Sequence, residues 1–157
     1  MLVRPITKEE RLQSAQLFAI AFESPFDPND LTPFAENPCI WAAFDEESGE
    51  MMSTVYVTDY RVQFDGGRYK MGGIGGVASL PQYRRAGGIR ACFQKALPIL
   101  YREGYVFSYL YPFSTAYYRK FGYESCVQRC LAVLDLRQLR PAEFSGSFRL
   151  ARGGDML

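Results

Sequence analysis

Apolar residues open the chain in a short run, and residues 1–6 read as a first strand. Thr7 is followed three positions later by Glu10, the spacing of a capping box, which predicts a helix start there. Leu12, Ala15, Gln16, Ala19 and Phe22 fall near one face of that helix, and Leu17, Phe18 and Ile20 widen it. Pro25 and Pro28 end it, and residues 30–36 read as a short second helix or a loop. Residues 39–44 form an apolar strand, 45–49 a polar turn, and 51–64 a long second strand. Asp65-Gly66-Gly67 is a hairpin signal that returns the chain into residues 68–80. These three strands predict an antiparallel meander.

The stretch from 69 to 90, YKMGGIGGVASLPQYRRAGGIR, organises the rest. Its first part is glycine and small apolar residues, as in a buried strand with close backbone approaches, and Pro81 stops it. Arg84-Arg85-Ala86-Gly87-Gly88-Ile89-Arg90 then opens a helix. Glycines at a helix start let N–H groups approach a ligand, and the dipole favours an anion there. Three arginines within that run add forked donors suited to phosphate, so the stretch reads as a pyrophosphate cradle. Alone, the glycine pair is equally a plain helix start.

Further on, Ile89, Cys92, Phe93, Ala96, Leu97 and Leu100 recur at helical spacing, with Pro98 predicting a kink or local break and Gly104 a C-terminal cap. Residues 105–111, YVFSYLY, read as a buried strand. Strand, crossover helix and strand imply parallel pairing with a right-handed connection. Ser114 is placed to cap a short helix running to Lys120, and residues 126–136 and 147–151 read as two more strands.

The chain of 157 residues is long enough for one domain with its own core, and one domain over 1–157 is expected. No apolar run is long enough to span a bilayer and the N-terminal residues lack a signal-peptide core, so a cytoplasmic protein with no membrane partner is expected. Cys39, Cys92, Cys126 and Cys130 sit in apolar settings without a CxxC pair, which predicts buried, reduced thiols and no metal. With no histidine in the sequence, a histidine-based triad or general base is excluded.

Net charge is only +1, but its distribution is uneven. From Leu12 to Tyr60 there is no Lys or Arg, whereas ten basic residues fall between Arg61 and Lys120 against two acids. This division suits a protein that joins a polyanionic cofactor to a cationic substrate, or else reflects solvated surface. The basic segment lacks a helical basic stripe, which argues against nucleic acid.

Arg84, Gly87 and Ile89 resemble the Arg/Gln-x-x-Gly-x-Gly/Ala coenzyme signature of the GCN5-related N-acetyltransferases (GNAT fold), with Ile at the position where Gly or Ala is usual. That departure, followed by Arg90-Ala91, resembles the Eis-like (enhanced intracellular survival) branch. So does Tyr118-Arg119-Lys120-Phe121-Gly122-Tyr123, which is similar to that branch's YxxFGY pattern. The resemblance implies an α/β GNAT fold: a mixed, mostly antiparallel sheet with a splayed parallel strand pair and flanking helices. It implies an acetyl-CoA-dependent N-acetyltransferase without a metal, acting on a primary amine such as an aminoglycoside-like compound, a polyamine or a lysine. The same fold as a non-catalytic acyl-CoA-binding module, or as a fragment with little turnover, is the alternative.

By this resemblance the cofactor contacts are Val77, Ala78 and Ser79 on a bulged strand, then Arg84, Arg85, Ala86, Gly87, Gly88, Ile89 and Arg90, with Phe113 and Ser114 beyond. Glycines 72, 73, 75 and 76 suit a splayed strand or merely tight packing. Tyr118 is the implied proton donor to the leaving thiolate, with Tyr117 as its competitor. Glu23, Phe26, Asp27 and Glu36 are candidates for the amine side of the cleft, or else an amphipathic cover on the sheet. Eis-like proteins take their general base from the C-terminal carboxylate of a longer, oligomeric chain. The present residues are therefore expected to be that protein's first domain, to bind acetyl-CoA and to turn over poorly, with Glu23, Asp27 or Glu36 as weak substitutes for the base.

Overall fold

A computed structural model describes residues 1–29, 39–128, 130–138, 145–147 and 149–150. The chain divides into two compact units, Met1–Glu124 and Ser125–Leu157. The first contains strands β1 (Leu2–Pro5), β2 (Cys39–Phe44), β3 (Met51–Phe64), β4 (Gly67–Ser79) and β5 (Tyr105–Leu110). Its helices are α1 (Arg11–Phe22), α2 (Gly88–Arg102) and α3 (Thr115–Arg119). The strands form one sheet in the order β1-β2-β3-β4-β5, antiparallel throughout except for the parallel pair β4–β5. The meander and the crossover through α2 are as the sequence predicts.

Both faces of β2 and of the first half of β3 are covered, so their burial is continuous rather than alternating. Trp41 and Ala43 face a core with Val55, Val57, Ile74, Cys92, Phe93, Ala96, Leu100 and Tyr118. Ala42 and Phe44 face the opposite side, where they pack with Leu17, Met51 and Ala78. The result is a helix–sheet–helix sandwich, with α2 on one face and α1 on the other.

Several expectations need correction. α1 begins at Arg11, later than the capping box suggests. Glu10 does accept the Thr7 N–H at 2.8 Å, but its carboxylate also takes both Arg4 nitrogens at 2.7 Å, which ties the helix entry to β1. The buried face of α1 is Ser14, Ala15 and Leu17, while Leu12, Ile20 and Phe22 are exposed. Ser14 is drawn inward by a hydroxyl pair with Tyr56 at 2.7 Å, which rotates the helix away from its most apolar stripe. α2 runs through Pro98 without ending. Gly104 takes φ +82 just beyond its C-cap and donates to the Tyr101 carbonyl, as a C-terminal glycine should.

β5 is half-exposed rather than buried, with Val106 and Tyr109 open to solvent, because among the described residues it pairs only with β4. In the second unit, the described residues of 126–136 form no strand, and neither do those of 147–151. The one regular element described there is a 3-10 turn at Leu136–Gln138, next to the Asp135–Arg137 ion pair. Cys126 and Cys130 are exposed and Cys39 is half-buried, so only Cys92 matches the expectation of buried thiols; all four are free. The expected element at 30–36 lies outside the described residues.

Candidate functional site

The site begins with a fault in β4. Ser79 pairs with Ser53 and Ala78 with Thr54, but the next pair is Gly75 with Tyr56, so β4 carries an extra residue there. Gly76 absorbs it with φ +49, and the Thr54 hydroxyl donates to the Gly76 carbonyl at 3.0 Å. A Cβ on Gly76 would lie 2.6 Å from the Tyr56 ring, so no other residue fits without displacement. On its other edge β4 pairs with β5 only as far as Ile74 with Leu110. Residues 75–79 therefore have no β5 partner, and Ser79 at their end lines a cleft.

From the end of this strand the chain makes a tight 3-10 turn, Pro81–Tyr83, and then a bend. The Ala86 N–H donates to the Tyr83 carbonyl at 3.2 Å. Arg85 and Gly87 both take left-handed backbone, at φ 70 and 87. An arginine with positive φ is uncommon and stores strain of about 1 kcal/mol. α2 then starts at Gly88 with no side-chain cap and no acidic residue in its first turn. Its first intrahelical bond is donated by Ala91 to the Gly87 carbonyl at 3.0 Å. The N–H groups of Gly88, Ile89 and Arg90 precede that bond, so the positive end of α2 is open to an anion. Gly88 is there because the helix touches the sheet: a Cβ at that position would be 2.5 Å from Ser53 Oγ. The Ser53 hydroxyl in turn pairs with that of Ser79 at 2.6 Å.

These elements wall a cleft of about 530 Å³ lined by Ser79, Tyr83, Arg85, Ala86, Gly87, Gly88, Ile89, Arg90, Tyr117, Lys120 and Phe121. The structure thus brings together Ser79, Arg85 and the run from Ala86 to Arg90. Arg84 lies outside the lining, as do Val77 and Ala78, which pack on the two core clusters. Phe113 is largely exposed, its ring 5.2 Å from that of Tyr117. Ser114 caps α3 by accepting the Tyr117 N–H at 3.3 Å. Glu23, in left-handed backbone at the end of α1, and Asp27, which accepts from Asn29, are exposed; neither they nor half-buried Phe26 line the cleft. Glu36 lies outside the described residues.

The two tyrosines of α3 take different surroundings. Tyr117 lines the cleft, where burial raises its phenol and the nearby Arg90 charge lowers it. Tyr118 is 5% exposed, its ring edge-on to Phe113 at 5.4 Å and to Phe93 at 6.4 Å. Burial pushes its phenol up to about 12, with Tyr117 and Tyr123 adding to the effect. A phenol held there stays protonated through the neutral range.

Tyr83, Lys120 and Phe121 escape the sequence reading as lining residues. Tyr83 immediately precedes the arginine run, but its part depends on a long-range bond: its hydroxyl donates to Glu50 Oε2 at 2.7 Å, and that bond raises the phenol. Lys120 and Phe121 sit inside the recognised tyrosine motif, yet only the fold of α3 turns them toward the α2 N-terminus.

Residues 2–126 match the family model described as an acetyltransferase (GNAT) domain. Among solved structures, a protein of Enterococcus faecalis V583 described as a probable N-acyltransferase is similar at 35% identity and a TM-score of 0.72 over 78% of this chain and 32% of that one. Eis1 of Mycobacterium abscessus is similar at 19% identity and a TM-score of 0.65 over 78% of this chain and 31% of its own. Glucosamine-6-phosphate N-acetyltransferase of Arabidopsis thaliana is similar at 13% identity and a TM-score of 0.66 over 85% and 98% of the two chains. The last two likenesses are of fold alone. The chain spans about a third of the length of the Enterococcus and Mycobacterium proteins. No curated protein matches the sequence.

Proposed function

Because the chain belongs to the acetyltransferase (GNAT) domain family, we propose that it binds acetyl-CoA and transfers the acetyl group to a primary amine. The observation that carries this reading is the uncapped N-terminus of α2, with Arg85 and Arg90, opening on the same cleft as Ser79 at the unpaired end of β4. A diphosphate suits the amides of residues 88–90, and the free edge of residues 75–79 suits the amide groups of a pantetheine arm. Gly87 leaves open space above the helix start, as a ligand held by backbone requires. These residues fit the coenzyme.

Bound there, acetyl-CoA supplies an activated acyl carbon. The amine nitrogen forms a bond to that carbon, the carbon–sulfur bond breaks, and the amine loses a proton while the thiolate gains one. Tyr118 is the proposed donor of that second proton; its position in the Tyr-x-x-Phe-Gly-Tyr motif and its protonated state support the role. Tyr117 lines the cleft and is the rival donor. Ile89, Arg90 and this motif support placement in the Eis-like branch, and the acid-rich segment that includes Glu23, Asp27 and Glu36 supports a cationic acceptor. In that branch the base is the terminal carboxylate of a longer, oligomeric chain.

Calorimetric titration with acetyl-CoA tests the reading: saturable binding with one site per chain is expected, and no binding at millimolar ligand overturns it. A broad amine panel that shows no transfer despite tight binding would favour a non-catalytic acyl-CoA module instead.

A further inference from the structure

The cleft is lined by three cations and no carboxylate. Arg85 and Arg90 come from the bend before α2 and from its first turn, whereas Lys120 comes from the end of α3. Among the described residues none of the three forms an ion pair. The contrast with the neighbouring Arg119 is sharp: that guanidinium is taken up by Glu124 at 2.7 Å. Lys120 Nζ lies 5.8 Å from the centre of the Tyr117 ring, and the charge of Arg90 also acts on Tyr117. Lys120, Arg90 and the Tyr117 ring thus line one cleft. Like charges gathered in a concave site repel one another, and an anion between them offsets the repulsion.

The amides at the start of α2 are the seat proposed above for a diphosphate. We propose that Lys120 and Arg90, which line the cleft together with Tyr117, form a seat for a phosphate of the ligand, a role that rests on the coenzyme reading above. The ligand chemistry is a phosphomonoester or a diphosphate oxygen. Lysine supplies a point charge with three donors at the end of a flexible stem, which suits a phosphate whose position is fixed mainly by other contacts.

Calorimetry with Lys120→Ala, Lys120→Arg and Lys95→Ala decides the matter, with CoA, 3′-dephospho-CoA and inorganic pyrophosphate as probes. Lys95 is exposed on α2 and outside the cleft lining, so its variant removes the same charge without touching the seat. Lys120→Ala is expected to weaken CoA about tenfold, the usual loss for a charge-assisted bond. Lys120→Arg should stay within about threefold of the wild type, and Lys95→Ala should not change it. Equal weakening with CoA and dephospho-CoA assigns the seat to the diphosphate, and weakening with CoA alone assigns it to the 3′-phosphate; either supports it. Unchanged CoA affinity in Lys120→Ala, or an equal loss in Lys95→Ala, overturns it. A wild type that takes pyrophosphate in a Lys120-dependent way but ignores CoA keeps the seat and overturns the coenzyme reading. One that binds neither overturns both.

Discussion

The hydroxyl of Thr54 donates to the carbonyl of Gly76 at 3.0 Å, across the place where β4 takes in an extra residue. This bond satisfies a carbonyl that the bulge withdraws from the ladder. Removing it with Thr54→Val should cost about 1 kcal/mol, and Gly76→Ala should cost about 2–3 kcal/mol because it adds a Cβ against Tyr56 at positive φ. Urea midpoints check both. Weaker binding of acetyl-CoA in the folded variants is expected as well, since the bulge sets the direction of the free strand edge.

Gly87 and Gly88 are adjacent but required for different reasons, and alanine should separate them. At Gly88 the added carbon meets Ser53 Oγ at 2.5 Å, with Ala43 Cβ at 3.3 Å, so α2 must lift from the sheet. Gly88→Ala should lower stability by about 2 kcal/mol and disturb ligand binding. Gly87 has open space around it, and only its φ of 87 opposes a side chain. Gly87→Ala should therefore cost only about 1 kcal/mol. Thermal unfolding of the pair gives the comparison.

Steady-state kinetics should distinguish the two tyrosines of α3. Tyr118→Phe is expected to lower kcat about a hundredfold while coenzyme affinity stays within about twofold, as loss of a general acid does. Tyr117→Phe should leave kcat nearly intact. The reverse pattern would transfer the donor role to Tyr117.

Acid stability tests the link between β1 and α1. The Arg4 guanidinium holds the Glu10 carboxyl down at about 2, from an ordinary 4.5. The folded value is depressed, so the pair's contribution is complete above about 4.5 and disappears as pH falls toward 2. The pair is partly exposed, which limits that contribution to about 1 kcal/mol. Glu10→Gln should flatten this part of the stability–pH curve, measured by urea unfolding at pH 6 and at successively lower pH.

Much of the sheet is legible from residue pattern. Cys39–Phe44 and Met51–Phe64 appear with the predicted bounds, since the polar turn at 45–49 separates them and Asp65-Gly66-Gly67 closes the second. The face of α1 is not legible, because a long-range hydroxyl pair between Ser14 and Tyr56 overrides the apolar stripe. An apolar run at 126–136 suggests a strand, but a strand also needs a partner edge, which local sequence does not report. At the cleft, the glycine–arginine run is visible because special backbone needs special residues. Tyr83 and Lys120 are not, because an ordinary tyrosine and lysine join the cleft only through folding.

Arg85 holds φ 70, a backbone shape in which glycine or asparagine would rest more easily. The residue nevertheless lines the cleft. Position 85 thus sits between two opposed selections, one from chain geometry and one from ligand charge. A population of sequences freed from the ligand would drift there toward glycine.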